Sequence, residues 1–265
     1  MKVRVKYAKY GVMRFVGHLD LLRYFQKSIR RSGLSACYSK GFSPHMLISF
    51  ADPLSVGTES IAEYFDLDLR YRDPYTDPDT QPEEDDSAWP DPPSPGEILE
   101  KLNGVQAEGI RILSVTRIRN GRKGNAMSLV SAADYTFSAV SDEAKKAFTE
   151  ENIARLMAQD AIPVEKSGKG GMRTVDLKPS VYTFSVCETD PETGQDWELP
   201  AGSMARLLCR AGSKDPCKID LLLKRLFEEA GVVYTPGCVR IRRDRLLGGE
   251  GPGDLISIET NGQTW

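Results

Sequence analysis

Within the first seventy residues the apolar pattern of this chain changes period twice, from two to about 3.6 and back, and few folds accommodate that order. Val3–Ala8 alternates charged and apolar residues, as a strand does. From His18 to Ser32 the residues Leu19, Leu22, Phe25 and Ile29 recur at helical spacing, and Gly33 supplies a stop signal. Arg23, Lys27, Arg30 and Arg31 fall largely on other faces of that helix. Leu47–Ala51 and Ile61–Leu69 return to strand. A short helix at Gly96–Leu102 and a strand at Ile110–Arg119, running into the basic turn Arg119–Gly124, complete the series. The order is β-α-β-β-α-β, that of ferredoxin-like folds.

The second half repeats this order less regularly. Asp134–Val140 reads as a strand and Asp142–Ala158 as a helix in one or two pieces. Ile162–Lys166 and Thr174–Glu188 read as strands around the glycine-rich loop Ser167–Gly171, and Trp197–Arg210 holds a further strand. Asp215–Ala230 is an amphipathic helix (Ile219, Leu222, Leu223, Leu226, Phe227) closed by Gly231, and Cys238–Leu247 is a last strand. The expected fold is α+β, with two tandem ferredoxin-like domains at residues 1–125 and 126–265, the second less regular. The first carries an insertion at 71–95 with seven prolines and eight acids in 25 positions, too polar to offset its ordering entropy and read as a loosely held loop.

Charge is segregated along this frame. Residues 1–50 hold ten bases and one acid, a balance of +9, whereas residues 51–100 hold two bases and fifteen acids, a balance of −13. The net charge of −3 conceals a cationic N-terminal surface suited to an anionic partner. No apolar run approaches the roughly 18 residues that span a bilayer, and the alternating N-terminus does not resemble a signal peptide. No membrane role is expected, and the expected location is cytoplasmic. The five cysteines (Cys37, Cys187, Cys209, Cys217, Cys238) are scattered without CxxC spacing. They read as free thiols and cannot supply a closely spaced iron–sulfur ligand set.

Both histidines lie in the cationic stretch. At Gly17-His18-Leu19-Asp20 a helix begins; backbone N–H groups there, with Arg14 and His18, could hold a phosphate or carboxylate. The plainer reading is that His18 or a neighbour caps the helix while Asp20 complements its dipole. In Tyr38-Ser-Lys-Gly-Phe-Ser-Pro-His45, Gly41 permits a turn and Pro44 fixes its exit. Tyr38, Phe42 and His45 offer rings and Lys40 a charge, the combination with which RNA modules stack single-stranded bases; a packed corner with Phe42 plugging the core is the favoured reading for that one side chain. His18, Asp20 and His45 are the one set that could ligate a metal, and the two histidines could act as an acid/base pair, but neither a metal nor another cofactor is expected. Lys169 lacks the spacing of a phosphate loop and marks a hairpin instead, from which Arg173–Pro179 leaves as an exposed strand edge. The last strand places Arg240 and Arg242 on one face and Arg243 and Arg245 on the other, which reads as a solvated face taken alone and as a phosphate track beside a second basic surface.

The runs Arg14-Phe-Val-Gly-His18-Leu-Asp20-Leu-Leu-Arg23, Arg30-Arg31-Ser-Gly33, Tyr38-Ser-Lys-Gly41-Phe42-Ser-Pro44-His45 and Pro53-Leu-Ser-Val-Gly57 resemble the signature of the radical SAM-linked protein family, and Arg173–Pro179 extends the likeness more weakly. Two positions depart from that signature: Gly17 stands where a serine precedes the histidine, and Met46-Leu47 where a Pro-basic pair follows it. Those bacterial proteins form a domain of unknown function found beside, or fused to, a cobalamin-binding radical SAM enzyme. The resemblance implies a partner rather than a reaction, and it carries over no catalytic residue. Charge and resemblance together predict an accessory or substrate-presenting protein that binds tRNA or rRNA during RNA modification. The candidate binding set is Arg14, His18, Asp20, Arg23, Lys27, Arg30, Tyr38, Lys40, Gly41, Phe42 and His45. The alternatives are a histidine- or metal-dependent RNA-processing or modifying enzyme centred on His18 and His45, and a protein–protein adaptor using the acidic 71–95 loop.

Overall fold

Strands and helices alternate along the chain in the computed structural model, which describes residues 1–72, 88–118, 124–168 and 171–259. The architecture is mixed α+β, with sheet at its core and six α-helices among the described residues. The chain divides into two compact units. The first comprises Met1–Val56, Ser60–Val130 and the described residues from Ile256 onward; the second comprises Gly57–Glu59 and Ser131–Leu255. Most of the acidic insertion (73–87), most of the basic turn (119–123) and Lys169 with Gly170 lie outside the described residues.

The first unit runs β1 (Lys2–Lys9), a 3-10 turn (Gly11–Phe15), α1 (His18–Arg31), β2 (Ile48–Phe50), β3 (Glu59–Asp68), α2 (Pro95–Asn103), β4 (Ile110–Ile118) and the short α3 (Ala126–Leu129). Its strands lie in the order β4-β1-β3-β2, each antiparallel to its neighbour. Helix α2 starts where local chemistry dictates, because Ser94 and Glu97 form a reciprocal capping box ahead of Pro95 at the first turn. Helix α1 buries Leu21, Phe25, Ser28 and Ile29. The apolar stripe is thus the 21/25/29 row, not the expected one through Leu19, which is 66% exposed. A row of residues four apart keeps one face, and Leu19 falls off it. Phe25 packs with Tyr7 and Phe65 at ring separations of 4.7 and 4.9 Å, and Phe50 lies 5.6 Å from Phe65. Burying that aromatic cluster fixes which side of α1 faces inward, and therefore which side faces water.

The opposite side of β1 is covered as well. Arg4 is buried and forms a forked ion pair with Asp66 (2.8 and 3.1 Å), and it also donates to the carbonyls of Gly124 and Ile258. Asp66 further accepts the Ala126 N–H at 2.8 Å. Lys6 and Ser114 both reach Glu259.

The second unit runs β5 (Ala132–Ala139), α4 (Asp142–Ala147), α5 (Glu150–Met157), β6 (Pro163–Gly168), β7 (Gly171–Asp176), β8 (Val181–Cys187), β9 (Ser203–Arg210), α6 (Ile219–Glu229) and β10 (Val239–Gly248). Its main strands lie in the order β10-β5-β9-β8, all antiparallel, and β6 with β7 forms a separate two-stranded hairpin. The helical stretch after β5 is two helices because Thr149 caps the second, its hydroxyl accepting the Asn152 N–H. The expected single strand Thr174–Glu188 is likewise two strands. A 3-10 turn at Lys178–Ser180 separates them, and Pro179 there has no N–H to continue a ladder.

The basic last strand overturns the expectation of a phosphate track. Arg242 is fully buried, forking onto Asp190 (2.6 and 2.8 Å), donating through Nε to Asp244 at 2.6 Å and through Nη1 to the Trp197 carbonyl at 3.0 Å. Arg245 donates to Asp134 at 2.6 and 3.0 Å, and Arg243 is buried. Arg240 pairs with Glu59, which belongs to the same unit. Burying Arg242 within the sheet requires carboxylates around it, since a buried unpaired charge is far costlier than a paired one. Burial pushes the Asp190 carboxyl up, but the Arg242 guanidinium and the N–H groups of Leu199 and Glu192 hold it below the usual carboxylate range. Asp244 moves the other way: its burial outweighs Arg242 and Thr136, and its carboxyl is raised.

Candidate functional site

The outward face of α1 is set by its inward one. With Leu21, Phe25 and Ile29 buried, Asp20, Arg23, Lys27 and Arg30 follow one another at spacings of three and four residues along the solvent side, and all four are exposed. Asp20 and Arg23 form an ion pair of 3.2 Å, both 71% exposed, which water screens strongly. Arg31 is turned aside, donating to the Val105 carbonyl and the Ser28 hydroxyl. Arg30 donates through Nε to the Tyr38 hydroxyl at 3.2 Å, joining the C-terminal end of the stripe to the following loop.

That loop is closed on itself. Tyr38 and Met46 form an isolated antiparallel bridge, Ser39 N–H donates to the His45 carbonyl, and His45 N–H donates back to the Ser39 hydroxyl at 3.1 Å. The same hydroxyl lies 2.8 Å from His45 Nδ1, so Ser39 fixes the imidazole. Gly41 has φ +112°, a conformation that side-chain-bearing residues rarely adopt. At the tip Phe42 is fully exposed. The reading of Phe42 as a core plug is therefore wrong: Met46, three residues after Ser43, fills the core beneath the loop instead. Lys40 and His45 are exposed beside it.

The other end of α1 is built differently. Gly17 occupies the N-cap and no side chain caps the helix, so the expectation that His18 or a neighbour caps it does not hold. His18 instead lays its ring edge-on against Phe50, 5.3 Å between centroids. Arg14 donates to the Gly11 carbonyl at 2.8 Å and stacks over Phe15 at 4.4 Å. Lys9, 1% exposed, holds this corner by donating to the Val16 and Arg14 carbonyls. Around Gly17 the apolar side chains of Val12, Phe15, Leu19 and Val56 are each at least 60% exposed, and Val56 lies against the position a Gly17 Cβ would take.

The two histidines are not brought together. His18 starts α1, whereas the His45 loop is tied to Arg30, twelve residues on, or about 18 Å at 1.5 Å per residue. From Phe50, which His18 touches, His45 is five residues away along a nearly extended run, again roughly 16 Å. One pocket holding His18, Asp20 and His45 is not formed. Among the described residues no group of three or more His, Cys, Asp or Glu is placed to hold a metal ion. The site residues therefore fall into two groups: Arg14, His18 and Asp20 at the helix start, and Arg30, Tyr38, Lys40, Gly41, Phe42 and His45 at its end, with Arg23 and Lys27 between them.

Sequence reasoning missed Ser39, the partner of His45, and Lys9, the buried prop of the α1 entry. A serine six residues before a histidine across a Gly-Pro turn carried a weak signal for the first. Nothing in the alternating β1 pattern marked Lys9 as inward. None of the five cysteines is in a disulfide, and no helix among the described residues is long and apolar enough to cross a membrane.

Residues 2–215 match the model of a family described as an uncharacterized protein conserved in bacteria, DUF2344. The match covers most of the chain, which belongs to that family. No curated protein matches it.

Proposed function

We propose that this DUF2344 protein binds RNA along the solvent face of α1 and its following loop, and presents it as an accessory protein to a cobalamin-dependent radical SAM enzyme. The observation that carries the reading is Phe42, a fully exposed aromatic ring raised on Gly41 beside Lys40 and His45. Water disfavours such a ring, whereas stacking on a base adds about 1–3 kcal/mol per ring. The stripe of Arg23, Lys27 and Arg30 continues from it and suits a phosphate backbone. The strand orders β4-β1-β3-β2 and β10-β5-β9-β8 support reading the units as tandem ferredoxin-like domains. In four-stranded RNA-recognition modules the open sheet face takes the bases. In the first unit Arg4, Gly124 and Ile258 cover that face, which favours the helix side. The enzyme partner is supported by the sequence resemblance, and the exposed Val12, Phe15, Leu19 and Val56 around Gly17 offer an apolar surface for a protein contact.

The test is a filter-binding titration with total cellular RNA at several salt concentrations. Affinity falls linearly in log–log form with salt, and Phe42→Ala weakens it by about 1–3 kcal/mol without lowering thermal stability. Salt-independent or absent binding refutes the RNA reading. Leu19→Asp should leave RNA binding intact and abolish co-purification with the enzyme partner.

A further inference from the structure

The hairpin β6–β7 is the most exposed regular structure in the second unit, and its charges are sorted by face. Cross-strand register pairs Val164 with Val175, Lys166 with Arg173 and Gly168 with Gly171 on one side. Pro163 with Asp176, Glu165 with Thr174 and Ser167 with Met172 occupy the other. The acids of that second side are engaged: Glu165 accepts the Thr174 hydroxyl at 3.1 Å, and Asp176 accepts the N–H groups of Ile162 and Lys178 at 2.7 and 2.9 Å. On the first side two cations stand directly opposite each other, an arrangement that destabilises a strand pair. Among the described residues neither Lys166 nor Arg173 has an ionic partner. Val164, at the base of the same face, is buried and lines a cleft against α6 whose charged residues are of both signs, Lys224 and Arg225 with Glu165 and Glu228.

We infer that the β6–β7 arm is a second phosphate-binding element, with Lys166 and Arg173 gripping the backbone of single-stranded RNA. This inference rests on the RNA reading above. An opposed like-charge pair in which neither cation is ion-paired to a carboxylate is relieved when a phosphate sits between the two cations. A chain of phosphates, unlike an isolated anion, supplies successive charges along a two-stranded arm.

The full-length protein and the double variant Lys166→Thr/Arg173→Thr are titrated with labelled oligo-uridylate at several potassium chloride concentrations. Threonine keeps strand preference, so the arm stays folded. The variant should melt no lower than the parent, bind about tenfold more weakly, and lose about 1.4 from the log–log salt slope, two charges at ~0.7 each on a single strand. If the parent binds and Lys27→Ala/Arg30→Ala weakens it, but the arm variant keeps full affinity and slope, the arm inference falls alone. If the parent shows no salt-dependent binding, both readings fall. Competition by poly-L-glutamate as effective as by unlabelled oligo-uridylate would assign the arm to acidic peptide and overturn it.

Discussion

The solvent face of α1 and the strand β10 each belong to a stretch with four basic residues, at 23, 27, 30 and 31 in one and at 240, 242, 243 and 245 in the other. In β10 Arg242 is drawn into the sheet and matched to Asp190 and Asp244, and the more exposed Arg245 is held by the buried Asp134. On α1 the stripe meets one acid, Asp20, in an ion pair open to water. Equal density of charge thus serves two ends. Where a helix turns its charges outward, they can bind a partner; where a strand is covered on its faces, the same residues become internal fasteners. Acids distant in sequence decide between these outcomes, since Asp190 lies 52 residues from Arg242.

The comparison breaks most sharply at Arg242. Arg242→Ala leaves Asp190 and Asp244 buried without their counter-charge and should cost about 3–5 kcal/mol in urea unfolding. Its pH dependence follows from the two carboxyls. Asp190 is held below the usual range, so its stabilising contribution is present above the unfolded value near 4 and is lost as pH falls through the lower folded value. Asp244 is raised, so its contribution is full at low pH and is lost as pH rises through the folded value. Below pH ~4 the parent should therefore lose stability more steeply than Asp190→Asn. A parent and variant with parallel acid limbs would show that this ion pair does not govern the acid limb.

On α1 the expectation is reversed. Lys27→Ala/Arg30→Ala should change the unfolding free energy by no more than about 0.5 kcal/mol while weakening RNA binding by about tenfold. A large loss of stability with unchanged binding would make α1 an internal fastener like β10. The smallest effect belongs to Asp20→Asn. It releases Arg23 from an exposed pair contributing at most about 1 kcal/mol, so stability should barely move and RNA affinity should rise modestly, as read in the same titrations. Lower affinity would mean that Asp20 orients Arg23 toward its ligand.

Much of this was legible in the residues themselves. The periods of β1, α1, α2 and α6 follow from backbone geometry and burial within one element, and their placement agrees with the structure to within a few residues. That the helix over 142–158 could be in two pieces was foreseen as an option, and Thr149 settles where it divides. The sequence named candidate residues but could not give their arrangement. His18 and His45 are close in sequence, yet α1 carries the chain away from one before the loop presents the other. The inward row of α1 was misjudged by Leu19, because a residue three before Leu22 can satisfy helical spacing and still fall off the 21/25/29 face.

By itself the sequence determined the secondary-structure order, the cationic character of the first fifty residues, the turn at Gly41 and the DUF2344 family, all of which depend on local backbone preference or on residue identity. Only the tertiary structure decided which cations remain outside, that Phe42 stands in water while Met46 fills the core, and that Lys166 meets Arg173 across a hairpin. Those outcomes depend on register and on partners far along the chain, and charge in a sequence has no direction until packing gives each side chain a face.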